Sequence, residues 1–399
     1  MASGLSRRSA LGGGLALLVT PLYAGTPALG SPVRPRPESE QGPVRLGVLT
    51  DLAGPLAAHG KRQLLGIRHR AEQLNAAGGH GSGHGGAVEL LVRDAGPDEK
   101  SAAAAASALL DEGVHAVIGT SAAWLGAGVL DQCNLGCTPV IVPAAGIVPA
   151  MPYAFQSAPA AGQVLSALMK AAMAGGAGKV AQLGLDKLLS PEMTELAANA
   201  ASAQGLEIAG VERFPLDATD LKDAVGKAIA AKPDALVLAA LPAQSGAAVK
   251  EARAAGFTGP ILLAPEGVHP EFHTTAKEAA EGVQAVGPWL MIAGAAPDSV
   301  PDAVPNAPTV RRFAAGFVPE NGPANPAAGF GADAVSLTHL AYLGHRDRKA
   351  AREQLEKMCC VGVCGVYNIT ADDHAGLAED ALLTATSKAG RWTAPPPGP

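Results

Sequence analysis

Aromatic side chains are scarce: Phe, Tyr and Trp together make up 4% of the 399 residues. That leaves few rings for stacking on sugars or bases. Charged residues are also few, at 17%, but 48% of the chain is apolar, which is too hydrophobic for a disordered polypeptide. A basic excess is missing, with 30 Lys and Arg against 36 Asp and Glu and a formal net charge of −6. A general nucleic-acid binder is thereby excluded, because such affinity rests on neutralising phosphates. No uninterrupted apolar run approaches the ~18 residues of a membrane span, so no direct membrane insertion is expected. Catalytic signatures are missing as well. There is no G-x-x-x-x-G-K-[ST], no G-x-S-x-G, no H-E-x-x-H, and no G-x-G-x-x-G after the first strand. Neither an enzyme nor a resident cofactor is expected.

What is present begins with an address. Arg7 and Arg8 precede the glycine-diluted apolar stretch from Leu11 to Val19, followed by small-residue exits at Ala24-Gly25 and Leu29-Gly30. This is the pattern of a cleavable export signal over residues 1–30, and the paired arginines suit the twin-arginine route. An ordinary Sec signal is the alternative. No cysteine precedes Cys133, so no lipid-anchor site is expected, and the mature protein is expected in the periplasm. Residues 31–43 read as a Pro-rich linker and 393–399 as a disordered tail.

From Val44 onward, short β-branched runs alternate with Ala-rich stretches of helical length, the signature of βαβ units on parallel sheets. Strands are expected at 44–49, 88–92, 114–118 and 140–142, with helices at 61–77, 98–110 and 122–135. A second series starts near Pro159, with strands at 180–185, 206–214, 235–238, 261–263 and 283–286. Its helices are expected at 163–174, 191–204, 221–231 and 247–255. Helices at 308–317, 331–343 and 349–358 follow, and then β character at 361–369. Two such series imply an α/β protein of two doubly wound parallel-sheet lobes, with a cleft where the carboxyl ends of the strands meet solvent.

Several stretches now resemble a known family. Val44-Arg45-Leu46-Gly47-Val48-Leu49-Thr50-Asp51-Leu52-Ala53-Gly54-Pro55 is similar to the opening strand and "SGP" loop of the periplasmic leucine/isoleucine/valine-binding proteins of ABC importers. Leu74-Asn75-Ala76-Ala77-Gly78-Gly79 is similar to their "INAAGG" helix end. Pro143-Ala144-Ala145, Ala252-Arg253-Ala254-Ala255-Gly256, Pro265-Glu266-Gly267-Val268 and Gly331-Ala332-Asp333-Ala334 follow in family order. The resemblance implies a type I periplasmic-binding fold whose lobes are joined by three hinge crossings. Lobe I would span 44–156 and 290–364, and lobe II 157–289 and 365–392. It also implies a monomer that closes on a small-molecule ligand and hands it to a membrane permease.

The resemblance places Glu266 where the family's ammonium-binding acid stands. The family's hydroxyl pair falls near Ser121 and Trp124, its Thr after Pro-Ala-Ala is Gly146, and its lobe II tyrosines fall at Ser190 and Leu241. Ser121 and the backbone of Ala144, Ala145 and Gly146 are expected as donors; Trp124, His59, Ser190 and Leu241 are expected as walls. With fewer hydroxyls and no tyrosines, the ligand is expected to be more apolar than a standard amino acid, with one cationic or donor group facing Glu266. A sensory receptor without transport is the alternative.

His80 and His84 sit among glycines that leave the rings unpositioned, so a surface turn is expected there and not a metal site. Cys133, Cys137, Cys359, Cys360 and Cys364 lack C-x-x-C spacing. In an oxidising compartment disulfides are the default, and an odd count leaves at least one thiol unpaired. A soft-metal site built from these cysteines is the remaining alternative.

Overall fold

A computed structural model describes residues 42–77 and 86–394. The expected export signal, nearly all of the linker, the His80–His84 turn and all but the first two residues of the tail lie outside the described residues. The first sheet holds β1 (Val44–Thr50), β2 (Val88–Asp94), β3 (Ala116–Ile118), β4 (Val140–Val142) and β5 (Ala154–Gln156). All are parallel, in the order β2-β1-β3-β4-β5. Val44, Leu46, Val48 and Leu49 are completely buried, as a strand covered by helices on both faces requires. Those helices are α1 (Ala57–Ala76), α2 (Glu99–Asp111) and α3 (Ala127–Leu135).

The second series repeats the plan. Strands β6 (Lys179–Leu185), β7 (Glu207–Phe214), β8 (Ala235–Ala239), β9 (Ile261–Leu263) and β10 (Gln284–Pro288) lie in the order β7-β6-β8-β9-β10. They alternate with α4 (Ala161–Ala174), α5 (Pro191–Ala203), α6 (Lys222–Ala230), α7 (Pro242–Ala254) and α8 (Pro270–Ala276). The remaining helices, α9 (Leu290–Ala293), α10 (Ala307–Asn321), α11 (Pro326–Ala341) and α12 (Arg348–Leu355), precede a small hairpin of β11 (Cys359–Val361) and β12 (Val366–Asn368). Two C-terminal strands, β13 (Leu382–Lys388) and β14 (Arg391–Thr393), then add antiparallel to β10 and extend the second sheet to seven.

The architecture is the expected α/β pair of sheets, and the differences are local. Helices α7 and α11 start five residues before their expected first residues, at Pro242 and Pro326, because each opens with proline at its first turn. Proline suits that position, since its missing N–H has no intrahelical acceptor to meet. Asn325 caps α11 by accepting from the Ala328 N–H at 3.1 Å. The short helices α8 and α9 and the strands β5, β13 and β14 are additions to the expected elements. Tyr367, Ile369, Leu377 and Ala381 pack in one cluster with β1, α1 and α11, and the chain joins the second sheet only at Leu382.

The five cysteines are free thiols, against the expectation of disulfides. Cys133 and Cys364 are each buried in a different apolar cluster, and burial pushes the Cys133 thiol up to about 12. Among the described residues no group of three His, Cys, Asp or Glu converges as a metal site, and no helix is long and apolar enough to cross a membrane.

Helices α1 and α11 pack backbone to backbone. A Cβ on Gly66 would lie 1.9 Å from the Ala328 carbonyl oxygen, which cannot yield as a flexible side chain can. Gly66→Ala should therefore cost about 1–3 kcal/mol by overpacking. Gly226, inside α6, has nothing within 4 Å of its virtual Cβ, so Gly226→Ala should gain about 0.5–1 kcal/mol from reduced chain entropy. Urea denaturation of the two variants checks the opposite signs.

Candidate functional site

In both sheets the chain winds first to one side and then to the other. The direction reverses between β1 and β3 and again between β6 and β8. At such a switch point the connecting loops leave in opposite directions and open a crevice at the carboxyl ends of the strands. Here the two crevices meet. Leu56, Ala122 and Leu125, from the first half, share one apolar cluster with Leu188, Leu238 and Leu241 of the second.

Two adjoining cavities occupy this junction, and Trp124, Ala145 and Glu266 line both. The smaller is nearly filled, about 20 Å³, and touches His59, Ser121, Ala144 and Leu241. The larger, about 470 Å³, touches Gly146 and Ser190 and runs into the second lobe beneath α4 and α5. All nine expected residues, separated by up to about two hundred positions in sequence, thus border one cavity or the other. The roomy volume lies on the lobe II side of the junction, where Val164, Leu165, Leu168, Met193 and Val237 make its walls apolar.

Glu266 sits in a single 3-10 turn after β9, in Pro265–Gly267. Burial pushes its carboxyl up to about 7, with only its own backbone N–H opposing the shift. No side chain among the described residues donates to it. The His59 ring, at the start of α1, is driven down to about 4 by burial and meets the Ser121 backbone. It is therefore neutral at pH 7 and acts as a wall. Trp124 projects from the loop after β3 and packs against the core cluster of the second lobe, so one side chain bridges both halves.

The role of Ser121 differs from that expected. The Ser121 hydroxyl is not free for a ligand; it donates to Asp51, a buried carboxylate at the end of β1. Burial holds the Asp51 carboxyl above its usual range, and the Ser121 bond opposes that rise. Ser190 lines the cavity, but its hydroxyl caps α5, accepting from the Met193 N–H at 3.3 Å and donating to Glu192 at 2.8 Å. Gly146, expected as a donor, also forms a short parallel bridge with Ala160, its carbonyl accepting from the Ala161 N–H at 3.1 Å. The other two backbone donors stay open. Gln156 holds the Ala144 carbonyl at 2.8 Å, and no acceptor among the described residues meets the N–H of Ala144 or Ala145.

Sequence reading missed Asp51, although its place in the opening loop could have signalled it. It also missed Gln182, a polar residue inside an apolar strand, which was itself the available signal. The apolar wall on α4 carries no separate signal, because helical periodicity does not distinguish a wall from a core.

The fold is that of the two-lobed binding-protein class, with a cavity where the lobes meet. The family model described as periplasmic binding protein matches residues 43–391, and the chain belongs to that family. Its fold is similar to an extracellular ligand-binding receptor from Rhodopseudomonas palustris HaA2, at 23% identity and TM-score 0.76, covering 89% of this chain and 100% of that one. It is also similar to a leucine-binding protein from Thermotoga maritima MSB8, at 20% identity and TM-score 0.74, covering 88% and 98%. A third is the branched-chain amino acid transporter substrate-binding protein from Streptococcus pneumoniae, solved in complex with isoleucine, at 21% identity and TM-score 0.73, again covering 88% and 98%. No curated protein matches the chain.

Proposed function

We propose that this protein captures an apolar small molecule between its lobes outside the cytoplasm and delivers it to the membrane permease of an ABC importer. The observation that carries this reading is the cavity of about 470 Å³ at the lobe junction, apolar except for a few polar groups, Glu266 foremost among them. That is the form of a small-molecule site: an apolar volume with few polar groups that set orientation. Membership of the periplasmic binding family supports capture. The arginine-paired leader supports export, by the twin-arginine route.

The ligand departs from a standard amino acid in its polar demands. A carboxylate placed at Ser121 would meet a hydroxyl already donating to Asp51, beside a second buried acid. The open N–H groups of Ala144 and Ala145 are the donors that remain. Glu266 serves the opposite end of the ligand's polar head as acceptor for an amine or other donor, while the body fills the space under α4 and α5.

A thermal-shift screen of small amines, alcohols and acids tests the reading, because a ligand that binds only the folded state raises the melting temperature. Micromolar binding of Leu, Ile or Val by titration calorimetry would overturn the ligand class. Capture of a permease complex by the ligand-loaded protein is the expected partner result; capture of a signalling receptor in its place would favour sensing over transport.

Closure itself depends on contacts made by both lobes at once. Trp124→Ala should weaken any ligand found by ~10-fold or more, as truncating a central aromatic contact does. Small-angle scattering of the ligand-free variant should show a larger radius of gyration than the wild type.

A further inference from the structure

The face of the second sheet beneath α4 and α5 is apolar along almost its whole width. Val180, Ala235, Val237, Leu262, Ala264 and Val286 all belong to one buried cluster with those helices. Side chains alternate along a strand, so Gln182 shares this face with Val180. In register it stands beside Val237, which stands beside Leu262. It is 1% exposed and lines the larger cavity. Its Oε1 is buried without a hydrogen-bond partner, and no group among the described residues bonds to its Nε2 either. A buried amide oxygen left without a donor is costly, and an apolar residue here would remove that cost.

Gln182 also lies deep. It is three residues short of the end of β6, roughly 10 Å below the strand terminus at 3.3 Å per residue. Glu266, by contrast, lies beyond the end of β9, in the loop facing the other lobe. Glu266 and Gln182 therefore stand at different depths of the cavity, with the apolar side chains of α4 along one wall and Asp186, Lys187, Ser190 and Glu192 also on its lining.

We propose that Gln182 is a specificity-determining residue that reads a hydroxyl group at the inner end of the ligand. This rests on the cavity being the ligand site and deepens that reading by naming the substrate class: an apolar aromatic or alkyl body with a polar head at the Glu266 end and a hydroxyl at the far end. A hydroxyl is the fitting partner because it both donates and accepts. It satisfies the amide whichever of its two ends faces the cavity.

Matched probes test this by titration calorimetry: phenethylamine against tyramine, and hexanoate against its terminal hydroxy derivative. In the wild type the hydroxylated member of at least one pair should bind about five- to tenfold tighter, the worth of one well-made hydrogen bond. In Gln182→Met and Gln182→Leu that advantage should vanish, and the apolar member should bind at least as tightly as before. The ligand-free Gln182→Met protein, close to isosteric, should melt no lower than wild type because it loses an unsatisfied amide. Equal binding within both pairs, a hydroxyl preference that survives both variants, a lower melting temperature for Gln182→Met, or no binding by any probe would overturn the assignment. The head-group reading is judged separately. A Gln182-dependent hydroxyl preference confined to the hexanoate pair would refute an amine head at Glu266 and uphold Gln182. Phenethylamine binding that is lost in Glu266→Gln, without hydroxyl preference in either pair, would do the reverse.

Discussion

Affinity for an amine-headed apolar ligand should rise by up to about tenfold per pH unit from roughly pH 5 to 7 and level off above, as release of one proton on binding requires. In the empty site burial holds the Glu266 carboxyl at about 7, so below that pH it is largely neutral. An ammonium group needs the carboxylate, and binding must therefore displace the proton. Glu266→Gln should flatten the profile and weaken binding at pH 8 by at least about tenfold, the scale of a charge-assisted hydrogen bond. If affinity instead falls as pH rises, the protonated carboxyl is donating to an acceptor on the ligand, and the amine head is wrong.

The same residue governs part of the stability of the empty protein. Its folded value lies above the ordinary 4.5, so between about pH 4.5 and 7 the folded state holds more protons than the unfolded one. Its contribution is then fully present below pH 4.5 and is lost as pH rises through 7. Asp333, pushed up to about 6, and Asp51, also raised, act in the same direction. His59 and His269, both lowered to about 4, act in the opposite direction, losing stability as pH falls. The difference between wild type and Glu266→Gln in urea denaturation, followed from pH 4.5 to 8, isolates the one carboxyl. A difference that does not change with pH would show that Glu266 ionises in the folded protein as an ordinary carboxyl does.

Asp333→Ala should cost about 2–5 kcal/mol, because two buried backbone N–H groups lose their acceptor at about 1–3 kcal/mol each. Asp333 lies on α11 and is completely buried. It accepts from the Val363 N–H at 2.6 Å, the Cys364 N–H at 2.8 Å and the Tyr367 hydroxyl at 2.9 Å. The Tyr367 hydroxyl also reaches the Ser157 carbonyl at 2.6 Å, and the Ser157 hydroxyl donates to the Phe330 carbonyl at 2.9 Å. One carboxyl thus ties α11 to the 363–367 segment and, through Tyr367, to the chain at the first hinge crossing. Its loss strands two backbone N–H groups and weakens the anchor of a third group. Tyr367→Phe should cost about 1–2 kcal/mol, because the donor goes but the ring still fills its place. Denaturation of the two single variants and the double variant should give a coupling energy of about 1 kcal/mol or more, as residues in one network do. Additive losses would mean that the two side chains act independently.

Much of the fold is legible from local pattern. A strand covered on both faces, such as Val44–Thr50, must be nearly continuous in apolar residues, and an intervening helix must repeat its apolar positions every three to four. Helix starts marked by a cap and proline, as at Ser190-Pro191, are local as well. The C-terminal strands β13 and β14 were not legible. Leu382–Lys388 carries three threonine or serine residues among its seven, and it becomes a strand because β10 offers a free edge about a hundred residues earlier in the chain.

The site divides along the same line. Which residues border the junction was implied by the family resemblance, and it agrees with the convergence of loops at the carboxyl ends of strands in a fold wound this way. What those residues do there could not. Ser121 donates to a carboxylate 70 positions away, and the open volume lies under α4 and α5, away from the nearly filled cavity beside Ser121 and Leu241. Sequence alone determined the two α/β series and the loops that meet between them, since burial periodicity is a property of neighbours along the chain. Tertiary structure decided which polar atoms are satisfied and where space remains, since a hydrogen bond or a cavity depends on atoms brought together from distant segments.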